Sequence, residues 1–588
     1  MRFLLVAVNS KYIHTNPALY SLKAYAQAAG MPDGAEVVLA QYTINEPIEG
    51  ILQGIYKEKP DVIGFSCYIW NISTIRRLTG DLSRVLPKVP IWLGGPEVSY
   101  QPEMVLQEMP GAAGVMTGEG EETFWRLLSF YCGIGRIEEI QGITWRQGME
   151  MIYHAPAPLL DFSTVPFPYE NLNDFSNRII YYESSRGCPY RCSYCLSSID
   201  KRVRFRNLGL VYRELDFFLE HKVKQVKFID RTFNAKPARS LAIWRYLMEH
   251  DNGITNFHFE ISADLLTEEE FSVFEKMRPG LIQLEIGVQT TNPETLKAIC
   301  RYASFEKIGA AVRRVKKIGT IHRHLDLIAG LPYEDYESFG YSFDKVYVLK
   351  PDQLQLGFLK VLNGSPMYEK VEEYGIVYGE YPPYEVLFTK WLTYDDILRL
   401  KAVEETVELY YNSGQFQTTI AYLERFFERP FALYEALGNF CEREKDGYQA
   451  HSRIRQYERL LSFVEEIPGV DRSVFISALV HDCYLRENCK SRPSFAPAEG
   501  IPEKEAARIF YQKEAECPLY LKSYISYNSR QMANMTHLEC YPIDIFRLRQ
   551  GEVVYEPVMV LYDYAVRDTF HHDAAVWQVG LEVTEEAR

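Results

Sequence analysis

Five short apolar runs open the chain: RFLLVAV (2–8), EVVLAQY (36–42), VIGFSCY (62–68), IWLGG (91–95) and GVMTGEG (114–120). Between them lie stretches with helical spacing, such as Pro17–Gly30 and Glu46–Lys59. Strands alternating with helices predict βαβ units in a parallel sheet covered on both faces. Residues 1–150 are therefore expected to form a doubly wound, Rossmann-like α/β domain. A ligand of such a domain sits where loops leave the carboxyl ends of the strands. A hairpin-like piece, ITWRQGMEMIYH (143–154), ends this region.

Residues 151–178 contain Pro156, Pro158, Pro166 and Pro168, a density that reads as an extended linker. From Ile179 the βα alternation resumes in RIIYYESSRG, QVKFIDRTF, FHFEISADLL, LIQLEIGVQT, HRHLDLIAGLP and QLQLGFLKVL. Six units over 179–378 predict a partial, open β/α barrel with its chemistry at the carboxyl ends of the strands. Beyond that, residues 379–588 are mostly amphipathic and helical, with HLECYPIDIF and VVYEPVMVLYDY alternating like two paired strands. The expected architecture is thus α/β, with a mainly helical C-terminal extension carrying a small β element.

Composition narrows the function classes. A net charge of −15 argues against a nucleic-acid binder held by a basic surface. No window approaches 18 uninterrupted apolar residues, so no membrane span is expected, and the seven-residue run after Met1 is too short for a signal peptide. Eleven cysteines, most of them scattered, point to a reducing compartment, with the cytoplasm as the expectation.

Three of those cysteines are not scattered. SSRGCPYRCSYCLSS (184–198) places Cys188, Cys192 and Cys195 in one loop directly after a strand, with Arg186-Gly187 in front. Iron–sulfur clusters are normally held by four thiolates, so three leave one iron of a [4Fe–4S] cube open to a ligand. A zinc site with a remote fourth ligand, or simple packing, are the competing readings. The motif resembles the Cys-x3-Cys-x2-Cys signature of the radical S-adenosylmethionine (SAM) superfamily. That resemblance implies that SAM chelates the open iron with Tyr194 beside its adenine. It also implies that an electron from the cluster releases a 5′-deoxyadenosyl radical.

The later strands offer further candidates for SAM contacts. Asp230 and Asn234 follow the second barrel strand, where an acid could accept from the methionine ammonium. Glu260 and Ser262, then Glu285 and Gln289, stand on the next two strands for ribose or carboxylate contacts. Gly330, in the turn Gly330-Leu331-Pro332, could expose backbone to the adenine edge.

The order of features, a five-stranded domain with GGPE and GEGE turns, a PFPY linker and then the cysteines, resembles cobalamin-binding radical SAM enzymes. These include methyltransferases acting on unactivated carbon or phosphorus and an oxidative cyclase. The implied cobalamin contacts are Ser66, Gly94, Gly95, Gly118 and Glu119. The Asp-x-His-x-x-Gly motif that supplies a lower cobalt ligand is absent. His14, in the loop after the first strand, is the nearest substitute. The implied activity is methylation of an unactivated carbon, with cyclisation or rearrangement, or a non-catalytic iron–sulfur or corrinoid sensor, as alternatives. The expected partners are a small-molecule substrate and an electron donor, a reductase or a flavodoxin or ferredoxin.

The C-terminal third resembles an uncharacterised extension found on some of these enzymes. His481-Asp482 looks like a phosphohydrolase pair but lacks the further ligands such a site needs, and His571-His572-Asp573 reads as a solvated tail. Cys483 and Cys489, with Cys517 or Cys540, are too loosely spaced to predict a second cluster. The many aromatics of this extension, in a chain with 42 tyrosines overall, suggest packing there, with a pocket for a flat or apolar substrate as the weaker reading.

Overall fold

The computed structural model describes every residue except 149, 173, 174, 176, 445–452, 490, 569–571 and 581–588. The predicted tail motif at 571–573 therefore lies partly outside the described residues. The chain divides into two compact units. One comprises Met1–Arg323, Gly330–Asp335 and Phe358–Thr393, and the other His324–Ala329, Tyr336–Gly357 and Tyr394–Arg588.

The first unit opens with a seven-stranded sheet of β1 (Arg2–Asn9), β2 (Glu36–Thr43), β3 (Val62–Ser66), β4 (Ile91–Gly94), β5 (Gly114–Met116), β6 (Ile143–Gln147) and β7 (Glu150–Tyr153). Their order is β2-β1-β3-β4-β5-β6-β7, parallel as far as β5 and antiparallel beyond it. The strand β1 explains why its sequence is an unbroken apolar run. Phe3, Leu5 and Ala7 enter one core with Trp92 and Leu127, while Leu4, Val6 and Val8 enter the opposite core with Ile63 and Ile75. A strand buried on both faces cannot alternate in polarity. The predicted hairpin extends the same sheet as its antiparallel edge. The strand order reverses between β1 and β3, and that switch point opens a crevice at the carboxyl ends.

Next come β8 (Ile180–Tyr182), then β9 (Ser185–Arg186) paired antiparallel with β10 (Arg204–Phe205), and then β11 (Gln225–Phe228), β12 (Asn256–Ile261) and β13 (Ile282–Gln289). β8, β11, β12 and β13 pair in parallel. Their order is β13-β12-β11-β8, and β14 (His322–Ala329) and β15 (Gln353–Phe358) follow them along the chain. The intervening helices are bounded by local chemistry. Asn207 caps Leu208–Glu220, Thr267 and Glu270 form a capping box on Glu268–Phe274, and left-handed Gly319 stops Phe305–Ile318. Phe228, Phe233, Trp244 and Phe259 stack edge-on or tilted between sheet and helices. A short hairpin, β16 (Val377–Tyr378) with β17 (Val386–Phe388), closes the unit.

One expectation needs correcting. The proline-rich segment 151–178 is not a free linker: Phe162, Val165 and Tyr169 are almost fully buried. Proline there fixes an extended path while the alternate aromatic residues pack.

The second unit contains helices Tyr394–Val407, Gln417–Leu423, Pro430–Arg443, Arg453–Val464, Arg472–Arg486 and Lys504–Glu516. It also holds an antiparallel sheet of β18 (Thr536–Tyr541), β19 (Val558–Arg567) and β20 (Ala574–Val579). The third strand was not expected, because AAVWQV is short and follows a polar turn. Among the described residues no helix is long and apolar enough to cross a membrane.

Candidate functional site

Cys188, Cys192 and Cys195 sit in a loop whose ends are joined by the β9–β10 ribbon. Gly187 allows the loop to start: its φ is +90°, and a Cβ there would stand 2.3 Å from the Arg202 carbonyl oxygen. The loop is held within itself by Cys188 N to Asp200 O (3.2 Å) and from outside by Ser193 N to Ile299 O (3.0 Å) and Met367 N to Ser193 O (2.8 Å). All three thiols are free, and Cys188 and Cys192 are more than nine-tenths buried. The Cys188 sulfur lies 3.7 Å from Thr232 Oγ1, and Arg301 Nη1 donates to the Cys192 sulfur at 3.7 Å. Burial pushes the Cys188 thiol above its ordinary value, although hydrogen bonds from Tyr190 N and Thr232 oppose this. A bound metal reverses that balance by taking the thiolate. Three sulfur donors in one loop, with polar groups already aimed at two of them, fit three irons of a [4Fe–4S] cluster.

The predicted SAM residues divide. Tyr194 stands against Cys192 and Arg301. Tyr190 donates to Ser262 Oγ at 3.2 Å, and Asn234 clamps the Ser262 backbone through two hydrogen bonds of 2.8 and 2.9 Å. Gln289 ends β13 in the left-handed region at φ +71°, with its Oε1 buried and without a hydrogen-bond partner among the described residues. A strained polar residue at a strand end is where ligand contacts gather.

Others are already engaged. Asp230 is 1% exposed and accepts from Ser184 N (2.8 Å), Ser184 Oγ (2.7 Å) and Ser185 Oγ (2.5 Å). It therefore braces the start of the cysteine loop. Glu285 lies mid-strand and pairs with Lys227 Nζ and His258 Nε2, each at 2.9 Å, while Glu260 stands opposite it in register. Gly330 (φ +88°) makes a turn against Val386, where a Cβ would come within 2.6 Å.

The crevice at the switch point widens into a cavity of about 360 Å³. Ser66, Gly94, Gly95, Gly118 and Glu119 all line it, together with Phe162, Pro166 and Tyr169 from the proline-rich segment. Gly95 (φ +119°) would place a Cβ 2.5 Å from the Cys67 carbonyl oxygen, so only glycine brings the backbone this close. Asn16 donates to Ser66 Oγ at 2.8 Å, and its own Oδ1 is buried without a partner among the described residues. A concave, mostly apolar wall with sparse polar atoms fits the tail of a large cofactor such as cobalamin. His14 is not among its walls. Its Nδ1 is 2.6 Å from Tyr181 Oη, and burial, with Lys11 and Lys227 nearby, lowers its pKa.

A charged cluster that sequence reasoning missed joins the cavity wall to the cysteine loop. Arg186 and Arg204 are directly opposite on the β9–β10 ribbon, where like charges repel. Glu119 Oε1 takes both, from Arg186 Nη1 (3.2 Å) and Arg204 Nη2 (2.6 Å). Arg186 also pairs with Glu121 (2.6 Å) and Glu183 (2.9 Å), and its guanidinium lies over the Phe162 ring. Burial works to raise the Glu119 carboxyl, but the hydrogen bond from Arg204 and the Arg186 charge bring it below its ordinary value. At Glu183 burial prevails and the pKa rises to about 6. The signal was present in the Arg-Gly ahead of Cys188 and the second acid of GEGE, but sequence alone does not pair them.

In the second unit, His481 Nδ1 is 2.6 Å from Tyr562 Oη, and Asp482 accepts from Thr418 N, Thr419 N and Thr419 Oγ1 at 3.1, 2.8 and 2.7 Å. The acid caps helix Gln417–Leu423, so the His-Asp pair is structural. The Cys483 and Cys489 sulfurs are 3.9 Å apart.

Known families match three sections of the chain. The B12 binding domain family matches residues 4–128, the Radical SAM superfamily residues 182–346, and a family described as a protein of unknown function (DUF4080) residues 372–562. An uncharacterized methyltransferase, PH0819 of Pyrococcus horikoshii, is 23% identical over 59% of this chain and 76% of its own length. The cobalamin-dependent radical SAM methyltransferase TokK of Streptomyces tokunonensis is 25% identical over 60% of this chain and 55% of its own. This chain thus spans only about half of TokK. Among solved structures, the cobalamin-dependent SAM radical enzyme OxsB shares the fold (TM-score 0.59, 14% identity, 82% of this chain and 78% of that one). So does the radical SAM methyltransferase TsrM of Kitasatospora setae (TM-score 0.53, 19% identity, 63% and 76%). The chain carries a B12 binding domain followed by a Radical SAM superfamily domain, a combination whose cofactor set is a [4Fe–4S] cluster, SAM and cobalamin.

Proposed function

We propose that the protein cleaves SAM reductively and methylates an unactivated carbon of a small molecule. The observation that carries this reading is the donor set: three free thiols in one clamped loop, beside a glycine-walled cavity. When bound, the cluster supplies the electron that cleaves SAM to a 5′-deoxyadenosyl radical, and cobalamin supplies a transferable methyl group. Cys188, Cys192 and Cys195 would hold three irons of the cluster and leave the fourth open to SAM. Tyr194, Ser262 and Gln289 are the SAM contacts the geometry supports best, since Gln289 still has an acceptor to offer. Asp230 and Asn234 fix the backbone that these groups stand on. Ser66, Gly94, Gly95 and Gly118 receive the cofactor tail, and the packed segment Phe162–Tyr169 keeps water from it.

Anaerobic reconstitution tests the reading through iron and sulfide content, corrinoid absorbance, and products formed from SAM under strong reductant. Release of 5′-deoxyadenosine supports radical chemistry, and S-adenosylhomocysteine appearing with it supports methyl transfer. Cluster-replete protein that releases no 5′-deoxyadenosine overturns the proposal.

A further inference from the structure

The charged clasp at the base of the cysteine loop has two addresses at once. Arg186 is two residues from Cys188, and Arg204 closes the other end of the same loop. Their shared partner, Glu119, belongs to the turn Gly118–Glu121, every residue of which lines the cavity. Glu119 is also fixed from the far side, because Leu160 N donates to its Oε2 at 2.9 Å while Arg204 Nη1 donates to the Leu160 carbonyl at 2.8 Å. Glu121 is held by Ser21 Oγ at 2.9 Å as well as by Arg186. The side chains of Arg186, Glu119 and Glu121 are 15%, 16% and 5% exposed. Ion pairs this sheltered are far less screened than surface pairs, and removing one member leaves its partner charge uncompensated.

We propose that Arg186 is a positioning residue that couples the cavity to the cysteine loop, so that cobalamin binding and cluster binding strengthen one another. The inference rests on the cofactor reading above. Loading the loop pins residues 187–203, and hence the guanidinium at its base. That guanidinium orders Glu119 and Glu121, and with them the turn against which the cofactor tail packs. A wall ordered in advance loses less freedom when the ligand arrives. Linkage then requires the reverse: an occupied cavity holds the loop in its cluster-binding form by the same factor.

The test uses the full chain, prepared anaerobically with and without its reconstituted cluster and titrated with hydroxocobalamin. Binding is followed by absorbance after ultrafiltration, with no turnover involved. Wild-type protein should bind hydroxocobalamin at least about fivefold more tightly when the cluster is present, the lower end of ordinary coupling factors. In Arg186→Gln that ratio should fall to within about twofold of one at unchanged iron content, and Arg186→Lys should lie between. Should Arg186→Gln not retain iron, Glu121→Gln carries the same comparison, because it removes one clasp partner distant in sequence from the cysteines. A reduced ratio in that variant supports the proposal. A ratio of one in wild-type protein that binds both cofactors overturns the coupling alone. So does an unchanged ratio in the variants. Wild-type protein that binds neither cofactor overturns the cofactor reading, and the coupling with it.

Discussion

Two regions of the molecule bury acids beside hydrogen-bonding partners, and they differ in what those groups still face. Around the cysteine loop, Glu119, Glu121, Glu183 and Arg186 satisfy one another yet stand on a cavity wall. In the second unit, His481 and Asp482 are at most 1% exposed, and they contact Tyr541, Tyr562 and a helix terminus. Both regions show perturbed pKa values, yet the perturbation itself does not separate a working site from a structural one. Adjacency to concave space does, because an unused polar atom alone is found in both regions, at Gln289 and at His481 Nε2. Asp230 shows the principle inside the first region: its sequence position suggested a ligand contact, and its hydrogen bonds make it a brace.

The largest effect should come from the thiols. Cys192→Ala removes one of three iron ligands, and reconstituted protein should drop from about four irons per chain to almost none. A variant that kept a complete cluster would falsify the ligand assignment and erase the contrast between the two regions. Next comes the brace. Asp230→Ala strands Ser184 N and two hydroxyls in a buried place and should destabilise the first unit by about 3–5 kcal/mol in denaturant unfolding. Asp230→Asn keeps an acceptor and should lose much less. If Asp230→Ala instead kept full stability and lost only SAM binding, the residue would be a ligand contact after all.

The fold was legible where periodicity is unambiguous. β1 and the helix Pro17–Gly30 follow their patterns to within a residue, because a strand buried on both faces and a helix opened by proline leave few alternatives. The three cysteines were legible through spacing alone. What stayed hidden was pairing over long separations: Arg186 with Glu119 across 67 residues, or His14 with Tyr181 across 167. A strand-end carboxylate reads the same in sequence whether it meets a ligand, as expected of Asp230, or two serines, as found. The proline-rich segment was misread because proline density reports an extended backbone and says nothing of what its aromatic neighbours cover.

The smaller predictions concern the sealed pair, whose two members should respond to pH in opposite senses. Burial holds His481 down to about 3, so the unfolded chain takes up a proton near pH 6.5 that the folded one refuses. Its contribution is fully present above pH 6.5 and is lost as pH falls toward 3. The stability of wild type relative to His481→Gln should therefore be about 2–3 kcal/mol lower at about pH 4.5 than at neutral pH. Asp482 runs the other way. Burial raises it to about 6 against the hydrogen bonds from Thr418 and Thr419, so the folded acid binds its proton more tightly than the unfolded one. That advantage is complete below about pH 3.8 and disappears as pH rises through 6. Relative to Asp482→Asn, wild type should lose about 2 kcal/mol between about pH 4.5 and neutral pH. Opposite slopes in the two variants, measured by urea unfolding, are the signature of a pair closed off from ligands. A flat profile in both would mean that solvent reaches His481 and Asp482 and that the contrast between the two regions does not hold.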